Sequence, residues 1–313
     1  MNHSLARRTL LAAGAAALAA PSALGAQTLT TLAIAGVPED SITPVLYGVQ
    51  SGLFRRNGLD VHVSQERSGP AITAGVVGGA YQIGKSSIAP LIEAHAKGLP
   101  IALVAPAGVY NSAAPIDGMF VAIDSPVKTA ADLNGKVYGV YGIGDIYTIS
   151  ARAWMAKNGG DPASLKFVEL PISAMVDAIA TGRVDAGSMN EPALQLALTS
   201  PRLRRLTDVF AAIAPRFLYT AWFAATDYAA AHRPAIDAFA RSMREAAAYA
   251  NAHHDATVDA LAAFTSVDAA TIRKMTRVEQ GITLDPKQIQ PVIDAMAAAK
   301  TIPSAFNARE MFL

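Results

Sequence analysis

The sequence predicts an α/β fold built from two successive α/β units, with mostly parallel sheets covered by helices. Strands and helices alternate over the first ~110 residues, and a second α/β unit follows them. The apolar strand 217–225 then returns from the second unit, and the rest of the chain is helical and rich in alanine. Alternation of this kind favours parallel pairing, because each helix carries the chain back to the same edge of its sheet.

The first unit reads as β-α-β-α-β-α-β and begins with a strand over 31–36. Thr43 and Pro44 suit a helix start, with threonine at the N-cap and proline at the first helical position. Gly58 suits the end of that helical region. Ser87 can cap the third helix of this unit, which we expect to begin at residue 88.

The second unit contains a strand that ends at a glycine turn and opens a helix, over the stretch VYGVYGIGDIYT at 137–148. A helix N-terminus that faces a cleft offers unpaired backbone N–H groups to an anionic or strongly polar ligand. A connecting turn without a ligand is the alternative, because a G-x-G turn is a weak signal.

Residues 1–26 predict a secretory signal, with Arg7-Arg8, a short apolar run and a small-residue cleavage site. The arginine pair is compatible with the twin-arginine route and also with an ordinary signal. An uncleaved membrane anchor is disfavoured, because the apolar run is shorter than the ~20 residues that span a bilayer.

Charge and cysteine content exclude several classes of partner and site. The signal holds two of the 26 basic residues and none of the 25 acidic ones, which leaves a mature net charge of −1. A near-neutral chain argues against nucleic acid or an anionic membrane as partner. The chain has no cysteine, which rules out disulfides, thiolate metal sites and lipid attachment at cysteine. These features fit a soluble protein of the bacterial periplasm.

Several ordered motifs resemble one family, the substrate-binding proteins of ABC importers for nitrate, sulfonates, taurine and the thiamine pyrimidine precursor. The motifs span residues 31–200 and are 46–61, 81–84, 124–129 with 132–136, and 182–186 followed by Glu191-Pro192. The resemblance implies a type II-like periplasmic binding protein fold. Two lobes, 27–112 plus 217–313 and 113–216, would be joined by crossings near 107–118 and 215–225.

The resemblance also implies a function. A small polar organic or anionic nutrient, such as a sulfonate, carboxylate, nitrate or pyrimidine, would bind between the lobes and be delivered to a membrane ABC permease. The lobes would close on the ligand by a hinge motion. We expect a periplasmic monomer without cofactor, metal or catalytic activity.

The candidate ligand-binding residues lie in loops at the carboxyl ends of strands, where open α/β sheets bind ligands. They are Glu39, Asp40, Lys85, Ser86, Ser87, Tyr110, Asn111, Gly144, Asp145, Tyr147, Thr148, Asn190, Glu191 and Trp222.

Each kind of candidate side chain has a structural alternative. Lys85 offers a full charge to an anion or is a solvated loop lysine. Asp145 and Glu191 accept N–H groups from a ligand or cap helices. The three aromatic candidates offer stacking faces or pack in the core and hinge. A lysine among carboxylates suits a zwitterion or a polar ring as well as an oxyanion, so the sequence leaves the ligand open.

Two other functions compete with transport. A receptor that presents ligand to a sensor kinase would have the same sequence features. An enzyme that resembles thiamine-pyrimidine synthase is disfavoured, because that enzyme depends on a cysteine-rich segment. Ser125-Pro126-Val127-Lys128 spells S-x-x-K but lacks the partner motifs of the penicillin-binding enzymes. His253-His254 point in different directions on a helix, so they do not indicate a metal site.

Overall fold

The computed structural model describes residues 29–313, so the predicted signal over 1–26 lies outside the described residues. The strands are β1 (Thr30–Gly36), β2 (Leu59–Gln65), β3 (Ile83–Ser87), β4 (Ile101–Pro106), β5 (Gly108–Asn111), β6 (Asp117–Ala122), β7 (Val137–Val140), β8 (Lys166–Glu169), β9 (Ala186–Asn190), β10 (Leu203–Thr207), β11 (Arg216–Leu218), β12 (Thr220–Ala225) and β13 (Glu279–Gln280).

The helices surround these strands. They are α1 (Thr43–Gln50), α2 (Leu53–Arg56), α3 (Gly69–Val77), α4 (Ile88–Ala96), α5 (Ile146–Lys157), α6 (Met175–Ala180), α7 (Ala193–Thr199), α8 (Thr226–Ala231), α9 (Arg233–Ala252), α10 (Val258–Thr265), α11 (Ala269–Lys274) and α12 (Pro286–Ala298). In the described range 29–313, no helix is both long and apolar enough to cross a membrane.

Two five-stranded sheets form the centres of two lobes, which confirms the predicted fold class. The sheet of lobe one has the order β2-β1-β3-β12-β4, and the sheet of lobe two has the order β10-β6-β9-β7-β8. Both sheets are mixed. In lobe one, β1 pairs in parallel with β2 and β3, and in lobe two β7 pairs in parallel with β8 and β9. Strands β12 and β6 pair antiparallel with both of their neighbours. Both strands enter their sheet from a crossing, so no helix brings them in parallel to their neighbours.

A small sheet of order β11-β5-β13 lies where the chain passes between the lobes. The predicted strand 217–225 is in fact two strands, β11 and β12, with Tyr219 between them. The Tyr219 N–H donates to the Gly108 carbonyl at 3.0 Å, and the Gly108 N–H donates to Thr220 Oγ1 at 2.8 Å. These bonds hold the two crossings side by side. The predicted lobe boundaries fall after β5 and within β11, and their exact positions stay a prediction.

The start of α1 differs from the prediction. The Thr43 hydroxyl does not cap the helix but donates to Asp40 at 2.9 Å, in a 3-10 turn that precedes α1. Val49, in the last turn of α1, is 42% exposed. Gly52, with φ +71°, then precedes the start of α2. The buried face of α1 therefore centres on Val45.

A buried ion pair fastens the C-terminal region to the loop before α1. Arg277 Nε donates to both carboxylate oxygens of Asp40 at 3.0 Å, and the Val278 N–H donates to Asp40 Oδ2 at 2.7 Å. Side chains of Arg277 and Asp40 are 7% and 0% exposed. Asp40 therefore acts as a structural anchor in this conformation.

We expect Arg277→Ala to lower the free energy of unfolding by about 3–5 kcal/mol, because it leaves a buried carboxylate without its cation. Urea denaturation measures the change. Arg202→Ala is the matched control, since Arg202 pairs with Asp177 at the surface and should change stability little. Equal effects of the two substitutions would contradict the anchoring role.

Candidate functional site

The candidate site is a small cavity between the two lobes, at the carboxyl ends of their parallel strands. Its volume is about 30 Å³, well below the roughly 300–1,000 Å³ of typical ligand pockets. The lobes are therefore closed over it, and a ligand can enter only if they part. The cavity is lined by Val37, Glu39, Arg67, Ser68, Gly69, Ser87, Tyr141, Asp145, Ile146, Tyr147, Ile172, Tyr219 and Thr220.

The Glu39 carboxylate lies at this boundary and bonds to both lobes. Its Oε1 pairs with Lys85 Nζ and accepts the Ser41 hydroxyl at 2.8 Å. Its Oε2 accepts Asn190 Nδ2 of lobe two at 2.6 Å. Lys85 is fully buried and also donates to Ser41 Oγ at 2.6 Å. Burial lowers the pKa of Lys85, and the Glu39 carboxylate opposes that shift.

Glu191 forms a second connection between the lobes. Its carboxylate accepts the backbone N–H of Gln195, in the first turn of α7, at 3.1 Å. Its carbonyl accepts the Asp40 N–H at 3.4 Å. Burial raises the pKa of Glu191 to about 7, and the hydrogen bond from the Gln195 N–H opposes the shift.

Asp145 caps α5 at the glycine turn. Its carboxylate accepts the backbone N–H groups of Tyr147 at 2.9 Å, Thr148 at 3.1 Å and Gly142 at 3.0 Å. Burial raises its pKa to about 7, and the three N–H donors oppose the shift. The N-cap alternative that the sequence left open thus accounts for the bonds from Tyr147 and Thr148, and the bond from Gly142 closes the glycine turn.

The glycine turn also meets lobe one directly. Ser87 Oγ accepts the N–H of Ile146 at 3.1 Å, so this hydroxyl caps a helix of the other lobe instead of α4 as predicted. A Cβ at Gly142 would lie 3.2 Å from Ser68 Cβ and 3.3 Å from Pro70 Cδ. Glycine therefore permits the close approach of the lobes at this point.

Three tyrosines surround the cavity with their hydroxyls buried. Tyr141 and Tyr147 belong to lobe two and pack edge to face at 5.1 Å between ring centroids, and Tyr219 comes from the crossing. Within the described part of the chain, none of the three hydroxyls has a hydrogen-bond partner. Burial raises the pKa of each phenol above its usual value, so each is a neutral hydroxyl.

The structure brings some predicted site residues to the cavity and places others around it. Glu39, Ser87, Asp145 and Tyr147 line it. Others lie one contact away or in the adjoining loops, namely Asp40, Lys85, Ser86, Gly144, Thr148, Asn190 and Glu191. Because the Lys85 charge is matched by Glu39, Lys85 is not a free cation for an anionic ligand in this conformation.

Three predicted residues lie away from the cavity. Trp222 is fully buried in lobe one with its ring 5.5 Å from that of Phe239, because β12 is a central strand covered on both faces. The Tyr110 hydroxyl donates to Asp208 in the hinge region, at 2.5 Å. Asn111 accepts the Ala113 N–H at 3.0 Å within its own turn. Their contacts are those of core and hinge packing.

The predicted candidates do not include nine of the lining residues, namely Val37, Arg67, Ser68, Gly69, Tyr141, Ile146, Ile172, Tyr219 and Thr220. Tyr141 and Tyr219 stand at strand ends, where an alternation pattern does not tell which face the last residue takes. Ser68 and Gly69 directly precede Pro70 of α3, and a Ser-Gly-Pro helix start is a signal that could have been used.

No group of three or more His, Asp or Glu side chains is arranged to hold a metal ion in residues 29–313. The site therefore offers hydroxyls, one exposed arginine, aromatic faces and helix N-termini as its binding chemistry.

The two carboxyls with raised pKa values predict a pH dependence of stability. A carboxyl whose pKa is higher when folded binds more protons in the folded state, so its stabilising contribution is complete below its unfolded pKa and is lost as the pH rises through about 7. We expect stability to fall between about pH 4 and pH 7, by at most about 1.4 kcal/mol per pH unit for each group.

Urea denaturation across this pH range measures the effect. Glu191→Gln should weaken the dependence, because glutamine does not titrate, whereas the exposed Glu245→Gln should leave it unchanged. A Glu191→Gln profile that matches the unsubstituted protein would contradict the assignment.

Comparison with known proteins agrees with this geometry. The family model described as NMT1/THI5 like matches residues 39–257. A search among curated proteins finds no match. The periplasmic aliphatic sulphonate binding protein SsuA from Escherichia coli has a TM-score of 0.71 at 20% identity, over 90% of this chain and 92% of that one. The periplasmic nitrate-binding protein NrtA from Synechocystis PCC 6803 has a TM-score of 0.74 at 14% identity, over 90% and 84%.

A third similar structure is a Candida albicans protein described as exhibiting the generic periplasmic binding protein structural fold. Its TM-score is 0.76 at 16% identity, over 91% of this chain and 96% of that one. At these identities the structural likeness shows the fold alone. The family match covers most of the chain, and the chain therefore belongs to the NMT1/THI5-like family and has the fold of the periplasmic binding proteins.

Proposed function

We propose that this protein is a periplasmic solute-binding protein that captures a small polar organic or anionic molecule between its lobes and delivers it to an ABC importer. The observation that carries the proposal is the interlobe cavity, whose walls come from both lobes and whose lobes are held together by Glu39 and Asn190. Solute release then requires only that the lobes separate, as in other hinge-closing proteins.

The relatives support this role. One structural neighbour is named as a sulphonate-binding protein and another as a nitrate-binding protein, both periplasmic. The predicted signal over 1–26 supports export. We further propose that the protein acts as a monomer and docks on a membrane permease in its closed form.

The proposed role is binding without catalysis. The buried carboxylates of Glu39, Asp145 and Glu191 accept hydrogen bonds from N–H groups of the protein itself. Carboxylates in helix caps and ion pairs do the same. A general base would need a free carboxylate within hydrogen-bond reach of the reacting group. The charged groups of this site are therefore suited to holding the lobes in place.

Mass spectrometry of the protein purified from its native periplasm tests the function. We expect a stoichiometric small molecule to be released on denaturation. A thermal-shift screen over sulfonates, nitrate, carboxylates, amino acids and pyrimidines complements it, since a ligand at 100 times its Kd stabilises by roughly 2.7 kcal/mol. An empty protein together with no shift across the screen would contradict solute binding.

Gly142→Val tests whether binding requires closure. The valine side chain would collide with Ser68 and Pro70 across the cleft and hold the lobes apart. Because apparent affinity falls with the fraction of closed protein, we expect at least about tenfold weaker binding of the recovered ligand. Calorimetry measures it, and the exposed Ala163→Val of the same lobe is the control. Unchanged affinity in Gly142→Val would contradict closure at this point.

A further inference from the structure

Two aspartates meet at the base of the hinge, where both crossings join lobe two. Asp117 is the first residue of β6 and follows the first crossing, whereas Asp208 lies between β10 and the 3-10 turn that leads into β11. Asp117 is fully buried, and Asp208 is half-buried. Both carboxylates accept the backbone N–H of Phe210, Asp117 Oδ2 at 3.1 Å and Asp208 Oδ1 at 3.2 Å. The two acidic groups are therefore close neighbours.

One oxygen of this pair has no partner when both groups are ionised. Asp117 Oδ2 also accepts the Val209 N–H at 3.1 Å, but within the described residues 29–313 the buried Oδ1 of Asp117 receives no hydrogen bond. A proton on Asp117 changes this, because it converts a carboxylate acceptor into a donor toward the Asp208 carboxylate. Burial and the hydrogen bond with Asp208 raise the pKa of Asp117 well above its usual range, and the backbone N–H groups oppose the shift.

The other charged and titratable side chains around the pair do not supply a second countercharge. The exposed Arg205 of β10 donates through Nη2 to the backbone carbonyl of Asp117 at 2.7 Å, not to a carboxylate. Tyr110 of β5 donates its hydroxyl to Asp208 Oδ2 at 2.5 Å, and Tyr138 of β7 is a buried phenol near Asp117. Burial raises the pKa of both phenols, so both are neutral. A second negative charge in the pair therefore costs far more than the first.

Phe210 connects the pair to the hinge and to the cleft. Its ring packs on Tyr110 and Phe217 of the two crossings, at 5.5 and 5.7 Å between centroids. The same ring packs on Tyr147 at 5.2 Å and on Tyr219 at 5.6 Å, and both of these residues line the cavity. A change in the bonds to the Phe210 N–H therefore acts on a ring that contacts the crossings and the cavity wall together.

We propose that Asp117 and Asp208 share one proton in the closed protein, and that this pair positions Phe210 and makes closure of the lobes proton-dependent. When the proton is released to water, two negative charges face each other in a buried site. That state favours an open hinge, in which water reaches the carboxylates. The inference rests on the hinge motion of the proposed function and is independent of which solute binds.

The sign of the effect follows from linkage. The closed form binds the shared proton more tightly than the open form, so its pKa is the higher of the two. The contribution of the pair to closure is therefore complete at low pH and is lost as the pH rises through the pKa of the closed form.

Infrared difference spectroscopy tests the shared proton, because a protonated carboxyl has a C=O stretching band that a carboxylate lacks. At about pH 7 an ordinary aspartate is ionised. The spectrum of the unsubstituted protein minus that of Asp117→Asn should nevertheless contain the band. The matched control is Asp124→Asn, an exposed aspartate of the same lobe, whose difference spectrum should not contain it. Absence of the band from the Asp117→Asn difference would overturn the shared proton.

Pulsed electron spin resonance tests the effect on the hinge, with spin labels at the exposed positions Ala80→Cys and Ala163→Cys and no solute present. A Glu191→Gln background removes the other titrating carboxyl that contacts both lobes. From about pH 6 to about pH 9 we expect longer interlobe distances, with a closed-to-open ratio that falls by up to about tenfold per pH unit.

Asp117→Asn should abolish this pH response and keep the closed distances, because asparagine is neutral and still donates to Asp208. Asp208→Asn removes the facing charge and should abolish the response as well, which provides a second variant if the first fails to fold. Asp124→Asn should retain the response. A pH response that survives both substitutions in the pair, or no response in the background protein, would overturn the proposal. Since no solute is used, either result leaves solute binding to its own test.

Discussion

The position of one buried carboxylate, that of Glu39, constrains the whole site. A buried carboxylate must pair with a cation and accept hydrogen bonds, because otherwise the free energy lost on desolvation exceeds what its contacts recover. Lys85 and Ser41 meet that requirement from lobe one, and Asn190 completes it from lobe two. Closure of the lobes therefore supplies one of the hydrogen bonds of this carboxylate. The loop before α1 must also be fixed, and Asp40 with Arg277 holds it.

The other polar contacts across the cleft follow the same logic. Glu191 accepts N–H groups from both lobes, and Ser87 of lobe one caps a helix of lobe two. Each of these groups can be hydrated when the lobes part, so closure exchanges water for protein partners at small net gain. Because this net gain is small, binding of a ligand can shift the equilibrium between the open and the closed arrangement of the lobes. The hydroxyls of the three cavity tyrosines are among the buried polar groups that lack a hydrogen-bond partner in residues 29–313.

The sequence predicted the architecture well, because strand and helix periods are local properties. It predicted the loops of the site for the same reason, and Glu39, Ser87, Asp145 and Tyr147 line the cavity. It could not reveal that Lys85 pairs with a residue 46 positions away, since such pairing depends on tertiary structure. Nor could it show that the strand over 217–225 breaks at Tyr219, where the chain changes sheets. That break places Tyr219 in the site and Trp222 in the core.

The most direct test of this account is the distance between the lobes when the bond across the cleft is removed. The chain has no cysteine, so spin labels can be attached at Ala80→Cys in lobe one and Ala163→Cys in lobe two, both of which are exposed. Asn190→Ala keeps the Glu39–Lys85 pair but leaves one carboxylate oxygen without a partner in the closed form. The account predicts a shift to longer interlobe distances in the ligand-free protein, measured by pulsed electron spin resonance. An unchanged distance distribution would contradict it.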